Sequence, residues 1–442
     1  MLTIWPFLIL MLLLSGEGMS SHDLVALVDA DDYFKAHKIE VKVDTLVELA
    51  GKDPEGPKGQ VAQLLALRWL GEHAERARKV KQVCSTVQQI ADGKKAQDQQ
   101  GFARDYARRT LALLDGKPAP RPAAIPANSV AREGLKWFPG SASIFGACDL
   151  RASGDLPPAD ESPLRSTLAK ISEGKKEFYE FVDSAGNMRL DRVAFAYTPD
   201  PQNKSKGRLY MRFTGLADRK ALADFIKKKQ PDAKVAFKKG PKGLIMVISS
   251  EKRAPAYALI GDTDLLMCRY EGNEENSLEV LEEALDVQAG TKASILKGAY
   301  AAKLKKVPAD AAGVFMGGLS EEVRRQLAVH PFLSPAGQFG AAPKSIVALM
   351  TRTKSIHLDW NATMADAGDA KEFAENVASY KKLGIDHLKR LPPQEMKPEQ
   401  VKVLTIAVEG IKAEAKDETV QGGVEITPGM IKVIKDLLQK PG

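Results

Sequence analysis

The chain has 442 residues, of which 44% are hydrophobic, 27% charged and 6% aromatic. This length and composition exclude a disordered chain and are typical of a folded protein with two or three domains. The formal net charge of +7 favours anionic partners, but it is spread thinly along the chain, so solubility is its simplest consequence. The small aromatic share argues against a stacking groove for carbohydrate or single-stranded nucleic acid.

The first residues of the chain predict export. Residues 2–14 form an apolar stretch that is shorter than the roughly 20 residues needed to span a bilayer. Small residues follow, and Gly16 with Gly18, or Gly18 with Ser20, could serve a signal peptidase. We therefore expect residues 1–21 to be a secretory signal peptide and the protein to lie in the periplasm or cell envelope. The alternative is an uncleaved N-terminal anchor, because no Lys or Arg precedes the apolar stretch.

Residues 22–115 have the pattern of a helical domain. Apolar residues recur at helical spacing in "VDTLVELAG" and in "GQVAQLLALRWLGEH", which predicts two helices joined by the breaker-rich "KDPEGPKG". The stretch "FARDYARRTLALLDGK" echoes the second helix about 41 residues later, and a period of about 40 is typical of HEAT or armadillo helical pairs. We therefore expect a small HEAT-like helical domain, followed by an extended Pro/Ala-rich linker over residues 116–131.

After the linker the pattern changes to alternating strands and helices, and the later part resembles the earlier one. The stretch "FPGSASIFGACDL" resembles "VPADAAGVFMGGL". In each part a strand is followed by a short turn and an amphipathic helix, and Asp218 or Asp369 stands where an N-cap or first-turn acid is favoured. The sequence therefore predicts an α+β fold, with a duplicated region of antiparallel sheets and flanking helices that divides into residues 132–306 and 307–442.

The stretch "DTDLLMCRYEG" places two aspartates and a cysteine inside an apolar run. Because Gly and Asp tolerate turn dihedrals and the flanking residues alternate, it predicts a β-hairpin. Asp262 and Asp264 are expected to form the turn rather than to bind a metal. The three cysteines, Cys84, Cys148 and Cys268, are too widely spaced for a zinc ribbon, and we expect them to be small buried apolar residues.

Common catalytic signatures are missing from the sequence. None of the six histidines stands at metal-ligand spacing, and there is no hydrolase elbow, phosphate-binding loop or dinucleotide fingerprint. We therefore predict no catalytic residues, no metal site and no cofactor.

The alternative to a non-enzymatic protein is a hydrolase with a site in a groove between the two α+β units. Its candidate residues are Ser141, Ser143, His357 and Asp359. His357 and Asp359 stand two residues apart in a predicted strand, so they share a face and could orient an acid–base group. A polar face of a half-solvated sheet explains the same pair without catalysis.

Lysines are concentrated in the stretch "KKKQPDAKVAFKKGPKG", where Asp232 is the one opposing acid. They are Lys227, Lys228, Lys229, Lys234, Lys238, Lys239 and Lys242. If they converge on one face, they predict binding of a polyanion or of lipid headgroups. A solvated helix end and loop is the other interpretation, because the stretch lacks the arginines and stacking aromatics typical of phosphate and single-strand sites.

The order of these parts resembles that of exported proteins of planctomycete-type bacteria, whose function is unassigned. The resemblance rests on the signal segment, the HEAT-like stretch, the Pro/Ala linker and the units that open on "FPGSAS" or "VPADAAGVF". It implies an envelope location and an α+β architecture, and it carries no catalytic residues.

From these patterns we expect a non-enzymatic binding or scaffold protein whose partner is another protein of the cell envelope. The first alternative is the hydrolase described above. The second is attachment to an anionic surface or polymer through the lysines of residues 227–242. No sequence-specific reading of nucleic acid is expected.

Overall fold

The structure is a computed structural model of the chain. It describes residues 24–94, 101–117, 130–149, 172–200, 206–241, 243–250, 254–270, 277–308, 311–318, 321, 343–352, 355–392, 396–430 and 433. The predicted signal peptide and most of the predicted linker lie outside the described residues, and so does Lys242.

Helices form the first part of the described chain. They are a 3₁₀ turn (Leu24–Leu27) and the α-helices α1 (Ala30–Ala36), α2 (Val43–Gly51), α3 (Gly56–Glu72), α4 (Ala74–Ala77), α5 (Gln82–Ala91) and α6 (Phe102–Leu114). Helices α2 and α3 confirm the two helices predicted from the apolar spacing. Their inward side chains, including Leu46, Leu64 and Leu67, are fully buried in one apolar core.

The strands that follow form one antiparallel sheet of twelve strands. They are β1 (Ile144–Asp149), β2 (Met188–Pro199), β3 (Gly207–Ala217), β4 (Lys234–Gly240), β5 (Gly243–Ser249), β6 (Ala256–Ile260), β7 (Asp264–Tyr270), β8 (Ala311–Gly318), β9 (Ser345–Arg352), β10 (Ile356–Thr363), β11 (Lys412–Lys416) and β12 (Thr419–Ile426). Their spatial order is β11-β12-β10-β9-β8-β1-β2-β3-β7-β6-β5-β4. The fold is therefore α+β with an antiparallel sheet, as predicted.

Further helices flank the sheet, and the two predicted aspartates stand at the starts of two of them. They are α7 (Val130–Leu135), α8 (Ser172–Ala185), α9 (Arg219–Lys229), α10 (Ser277–Ala289), α11 (Ala301–Leu304), α12 (Ala367–Arg390) and α13 (Pro398–Glu409), together with a 3₁₀ turn (Ile295–Lys297). Asp218 caps α9 by accepting the backbone N–H of Ala221 at 2.9 Å. Asp366 caps α12 by accepting the N–H of Asp369 at 2.9 Å, so Asp369 is a first-turn acid. Both aspartates therefore stand where the sequence predicted.

The sheet has a front face, which packs against α7 and α10, and a back face, which packs against α9 at one end and α12 at the other. On the front face, Leu266 shares an apolar cluster with Leu281 of α10. On the back face, Leu259 packs with Leu222 of α9, and Ala370 of α12 packs against β10 and β12. Because side chains alternate along a strand, its odd and even residues meet different helices.

The sheet runs outward in both directions from a central pair, β1 and β8. These two strands are antiparallel, with Phe145 opposite Met316. On one side β2 and β3 follow, and the chain returns after α9 so that β7 lies beside β3. On the other side β9 and β10 follow, and the chain returns after α12 so that β12 lies beside β10. The two predicted α+β units therefore share one sheet.

The helical part packs against the sheet region through α8. Val182 of α8 is fully buried in the apolar core of the helical part. The Tyr33 hydroxyl donates to Asp183 Oδ1 at 2.5 Å, and Nε2 of His37 lies 2.8 Å from Asp183 Oδ2. Burial, and then the hydrogen bond to Asp183, raise the pKa of Tyr33 well above its usual range, so the phenol remains a donor. One carboxylate thus joins α1 to α8.

Replacing Asp183 by Ala is expected to loosen this contact. The change leaves the Tyr33 hydroxyl and His37 without their acceptor at a partly buried site, which costs about 1–3 kcal/mol. We expect faster hydrogen exchange over residues 30–36. The matched control is Glu180→Ala on the same helix, because Glu180 forms solvent-exposed pairs with Lys228 and Lys229 and exposed pairs contribute little to stability. Equal exchange in the two variants would contradict the assignment.

Candidate interaction surface

The predicted lysine cluster lies at one end of the sheet. Lys227, Lys228 and Lys229 form the last turn of α9, and the stretch continues into β4 after a short turn. Strand β4 is the terminal strand of the sheet and carries Lys234, Lys238 and Lys239. Placement at a sheet edge leaves these side chains accessible.

The strand register divides the predicted patch between the two faces of the sheet. Lys238 lies opposite Ile245, a member of the front-face cluster, so Lys238 and Lys234 belong to the front face. Lys239 has the opposite parity and belongs to the back face, with the end of α9. The prediction of polyanion binding required the lysines to converge on one face of the sheet. The described lysines do not converge, because they are divided between the two faces.

Acidic neighbours pair with several of the lysines. Lys228 and Lys229 each lie 3.2 Å from Glu180 of α8, and hydrogen bonds from both lysines lower the pKa of its carboxyl group. On the front face, Lys238 donates to Glu282 of α10 at 2.5 Å. Lys239 is exposed and makes no ion pair with any residue that the structure describes. The positive charge on this edge is therefore only partly neutralised.

Two large apolar side chains lie exposed beside Lys239. Phe237 of β4 is 57% exposed and Leu244 of β5 is 56% exposed. Leu244 lies opposite Lys239, and Phe237 lies opposite Met246 on the same back face. We call Lys234–Gly240 together with Leu244 the β4 edge. The β4 edge combines a terminal strand, two exposed apolar side chains and neighbouring lysines.

The other end of the sheet is different in character. Strand β11 is its terminal strand, and its sequence is KAEAK. Lys412, Glu414 and Lys416 are exposed, and the strand carries no large apolar residue. Charges blunt a sheet edge against pairing, and β11 lacks the exposed apolar side chains of β4, so β11 provides an internal reference for the β4 edge.

The residues proposed for a hydrolase are not brought together. Along the paired strands, Ile144, Gly317, Ile346 and Ala362 lie side by side. Ser143 therefore aligns with Thr363, which is six residues from His357 along β10. Ser143 itself lies next to β1, three strands from β10. At about 3.3 Å per residue and about 4.8 Å per strand, this places Ser143 and His357 roughly 20 Å apart along the strands and roughly 14 Å apart across them. Ser141 precedes Ser143 and lies outside the strand.

The groove predicted between the two units is replaced by strand pairing. Since β1 and β8 are hydrogen-bonded neighbours, the units meet through a continuous sheet. His357 and Asp359 do share the front face of β10, as predicted, and His357 lies opposite Glu425 of β12. Asp359 is exposed. This is the polar, half-solvated sheet face that explains the pair without catalysis.

The hairpin predicted at "DTDLLMCRYEG" is confirmed, but one of its aspartates has another role. Strands β6 and β7 are joined by a turn in which Gly261 has φ +59°. Asp264 is buried in the first position of β7, where it accepts hydrogen bonds from Arg212 Nε at 3.0 Å and Nη2 at 2.8 Å. The guanidinium also lies 3.5 Å from the ring centre of Trp137. Asp264 is therefore half of a buried ion pair rather than a turn former.

The cysteines and acids of the described residues offer no reactive or metal-binding cluster. No group of three or more His, Cys, Asp or Glu side chains that could hold a metal ion occurs within this part of the chain. Cys268 is buried as predicted, and burial raises the pKa of its thiol, which makes it a poor nucleophile. Cys148 is also buried, but Cys84 is exposed, so the prediction of burial is wrong for Cys84.

A small cleft lies where β2, β3 and the β6–β7 turn meet. Its lining includes Met188, Phe213, Leu259 and Asp262, and its volume is about 20 Å³. That volume holds about one water molecule. Among the described helices, none is both long enough and apolar enough to cross a membrane.

The structure thus defines an α+β protein with one antiparallel sheet and an open, lysine-bearing edge.

No family model and no curated protein sequence matches the chain. The chain is similar to three crystal forms of TP0453. Form III is 12% identical with a TM-score of 0.37, over 69% of this chain and 98% of that one. Form I is 10% identical with a TM-score of 0.35, over 69% and 97%. Form IV is 11% identical with a TM-score of 0.34, over 70% and 96%.

Proposed function

We propose that the protein is a non-enzymatic binding or scaffold protein of the bacterial envelope, exported by its N-terminal segment. The observation that carries this proposal is the β4 edge. It ends a twelve-stranded sheet, exposes Phe237 and Leu244, and has no strand on its outer side among the described residues. Lysines on an edge strand limit indiscriminate pairing, but large exposed apolar side chains on an edge that no described strand covers indicate an interaction site.

The architecture suits a scaffold because it holds this edge on an extended platform. The sheet is continuous from β11 to β4, and the helical part is joined to it by Val182 and the Tyr33–Asp183 hydrogen bond. Sites on packed strands are positioned more firmly than sites on loops. A partner bound at β4 would therefore be held in a fixed relation to the helical part.

A duplicated α+β region and a HEAT-like helical part belong to the same proposal. The duplication is supported by the similar start of each unit, in which three strands run outward and the chain returns to the third strand after a helix, although six strands follow β1 and four follow β8. The HEAT-like part is supported by the packing of α6 on α3, where the Thr110 hydroxyl donates to the carbonyl oxygen of Leu67 at 2.7 Å. Both features also agree with the resemblance to exported planctomycete-type proteins.

The proposal is tested by photocrosslinking in the cells that make the protein. A photoreactive phenylalanine analogue replaces Phe237 at the β4 edge, and in a control variant it replaces Glu414 on β11. We expect the Phe237 position to give a discrete protein adduct in the envelope fraction, because a partner seated on this edge lies within contact distance. The Glu414 position should give none, since β11 carries no large apolar side chain for a partner to cover.

Other outcomes would contradict the proposal. Adducts of equal yield from both positions would indicate random collision, and recovery of the protein outside the envelope fraction would contradict its location. Capture of lipid or polymer instead of protein at Phe237 would favour attachment to an anionic surface.

A further inference from the structure

We infer that the β4 edge receives an extended, acidic segment of a partner protein as an additional strand of the sheet. This inference rests on the proposed function and specifies the chemistry of the partner. Strand addition is a recurring mode of peptide recognition, in which main-chain hydrogen bonds give affinity and alternate side chains give specificity.

The main chain of β4 offers pairing groups on its outer side. Among the residues that the structure describes, Lys234–Gly240 pair only with β5, on one side of the strand. In an antiparallel sheet each strand directs about half of its N–H and C=O groups to each side. The outward half of β4 is therefore a template that matches an extended segment of about six residues.

The side chains of β4 specify which residues the added strand carries. On the back face, the exposed ring of Phe237 and the neighbouring Leu244 favour an apolar residue opposite Phe237. Lys239 lies on the same face, two residues after Phe237. It favours an acid at the position opposite it on the added strand. Opposite charges stabilise directly opposed residues. On the front face Lys238 already donates to Glu282, so the front-face positions are left unspecified. Read antiparallel to β4, the expected segment is an acid, any residue, an apolar residue and three residues of any kind.

Charge decides between this occupant and two others. A second copy of the chain would bring two sets of lysines into one interface, and like charges across strands are destabilising. A flat anionic membrane would meet only part of the charge, because Lys238 and Lys239 point to opposite faces. An acidic residue on a strand added in the plane of the sheet lies directly beside Lys239, which is exposed and makes no ion pair with the residues that the structure describes.

A labelled peptide binding assay tests the inference on the purified protein. The probe is a fluorescent eight-residue peptide with the sequence pattern above, and its anisotropy is measured against protein concentration. We expect binding that weakens with salt, and a loss of about tenfold when alternate peptide amides are N-methylated, because two or more main-chain hydrogen bonds are removed. A peptide with Lys in place of the acid opposite Lys239 should not bind.

Two protein variants locate the binding site. Lys239→Glu is expected to weaken binding of the acidic peptide about three- to tenfold, and a peptide with Lys at the facing position should recover it. Phe237→Ser should weaken binding as well. Leu383→Ser is the control, because Leu383 is also a large exposed apolar residue but lies on α12. Neither β4 variant removes a buried side chain, so the fold should be retained.

Several results would overturn the inference. Binding that is insensitive to N-methylation is not strand addition, and equal competition by inorganic polyphosphate would indicate a general anion site. A dimer that Phe237→Ser dissociates would assign the edge to a second copy. If photocrosslinking at Phe237 captures a protein while acidic peptides fail to bind, the partner chemistry is wrong and the binding function stands.

Discussion

Replacing Asp264 by Ala is expected to lower the free energy of unfolding by about 3–5 kcal/mol, because it leaves a buried arginine without its counter-charge. Arg212 is almost fully buried in a side-chain ion pair with Asp264, and its third nitrogen donates to the carbonyl oxygen of Glu133 at 2.8 Å. The Thr214 hydroxyl also donates to Asp264, at 3.1 Å. The variant removes the carboxylate that accepts hydrogen bonds from Arg212 and Thr214. The positive charge of Arg212 remains buried.

The measurement is denaturant unfolding followed by tryptophan fluorescence, since Trp137 stacks on Arg212. Asp262→Ala is the matched control, because Asp262 lies in the same turn but is exposed, and such substitutions change stability by about 0.5 kcal/mol or less. Replacing Arg212 by Met and Asp264 by Leu together should recover much of the loss, since no buried charge remains. A loss below about 1 kcal/mol for Asp264→Ala would contradict the buried pair.

Replacing Gly215 by Ala is expected to destabilise the sheet by at least about 3 kcal/mol, or to prevent folding. Gly215 lies on β3 at the irregularity in the β2–β3 pairing between Leu190 and Arg192. A Cβ atom there would overlap the main-chain carbonyl group of Arg189. Because the overlapping atoms belong to the backbone of a central strand, they cannot move without breaking the ladder.

The control for this substitution is another strand glycine with room for a methyl group. At Gly317 of β8 a Cβ would have its nearest neighbour at 3.5 Å, which is ordinary contact, so Gly317→Ala should change stability by less than about 1 kcal/mol. Thermal unfolding of the two variants makes the comparison. Similar melting temperatures would show that the strand at Gly215 relaxes.

Local features of the fold could be predicted from the sequence because their causes are local. The spacing of apolar residues placed α2 and α3, and the turn residues placed the β6–β7 hairpin. Asp218 caps α9 through a hydrogen bond to a residue only three positions away. In each case the physical cause lies within a few residues of its effect.

Long-range pairing could not be predicted in the same way. Phe145 pairs with Met316, although the residues between them in the sequence make up more than half of the sheet region. No local pattern specifies that contact. The same limit explains Asp264, whose partner Arg212 is 52 positions away. An arginine among alternating apolar residues was the available signal, but it did not identify the counter-charge.

The candidate site was predicted only in part, for a related reason. Closeness in sequence grouped the lysines, whereas the alternation of β4 separates Lys238 from Lys239. The importance of Phe237 depends on β4 being the last strand, and strand order is a property of the whole sheet.

The central β1–β8 pair has a consequence for how the chain can be divided. Strand β1 is buried along almost its whole length because β2 and β8 flank it. A fragment ending near residue 306 would retain β1 but lose β8, and a fragment beginning there would expose β8 instead. Each would present a fresh apolar strand edge, which is the structural template for aggregation. The two units that the sequence suggests are therefore inseparable in practice, and the chain is expected to remain soluble only as a whole.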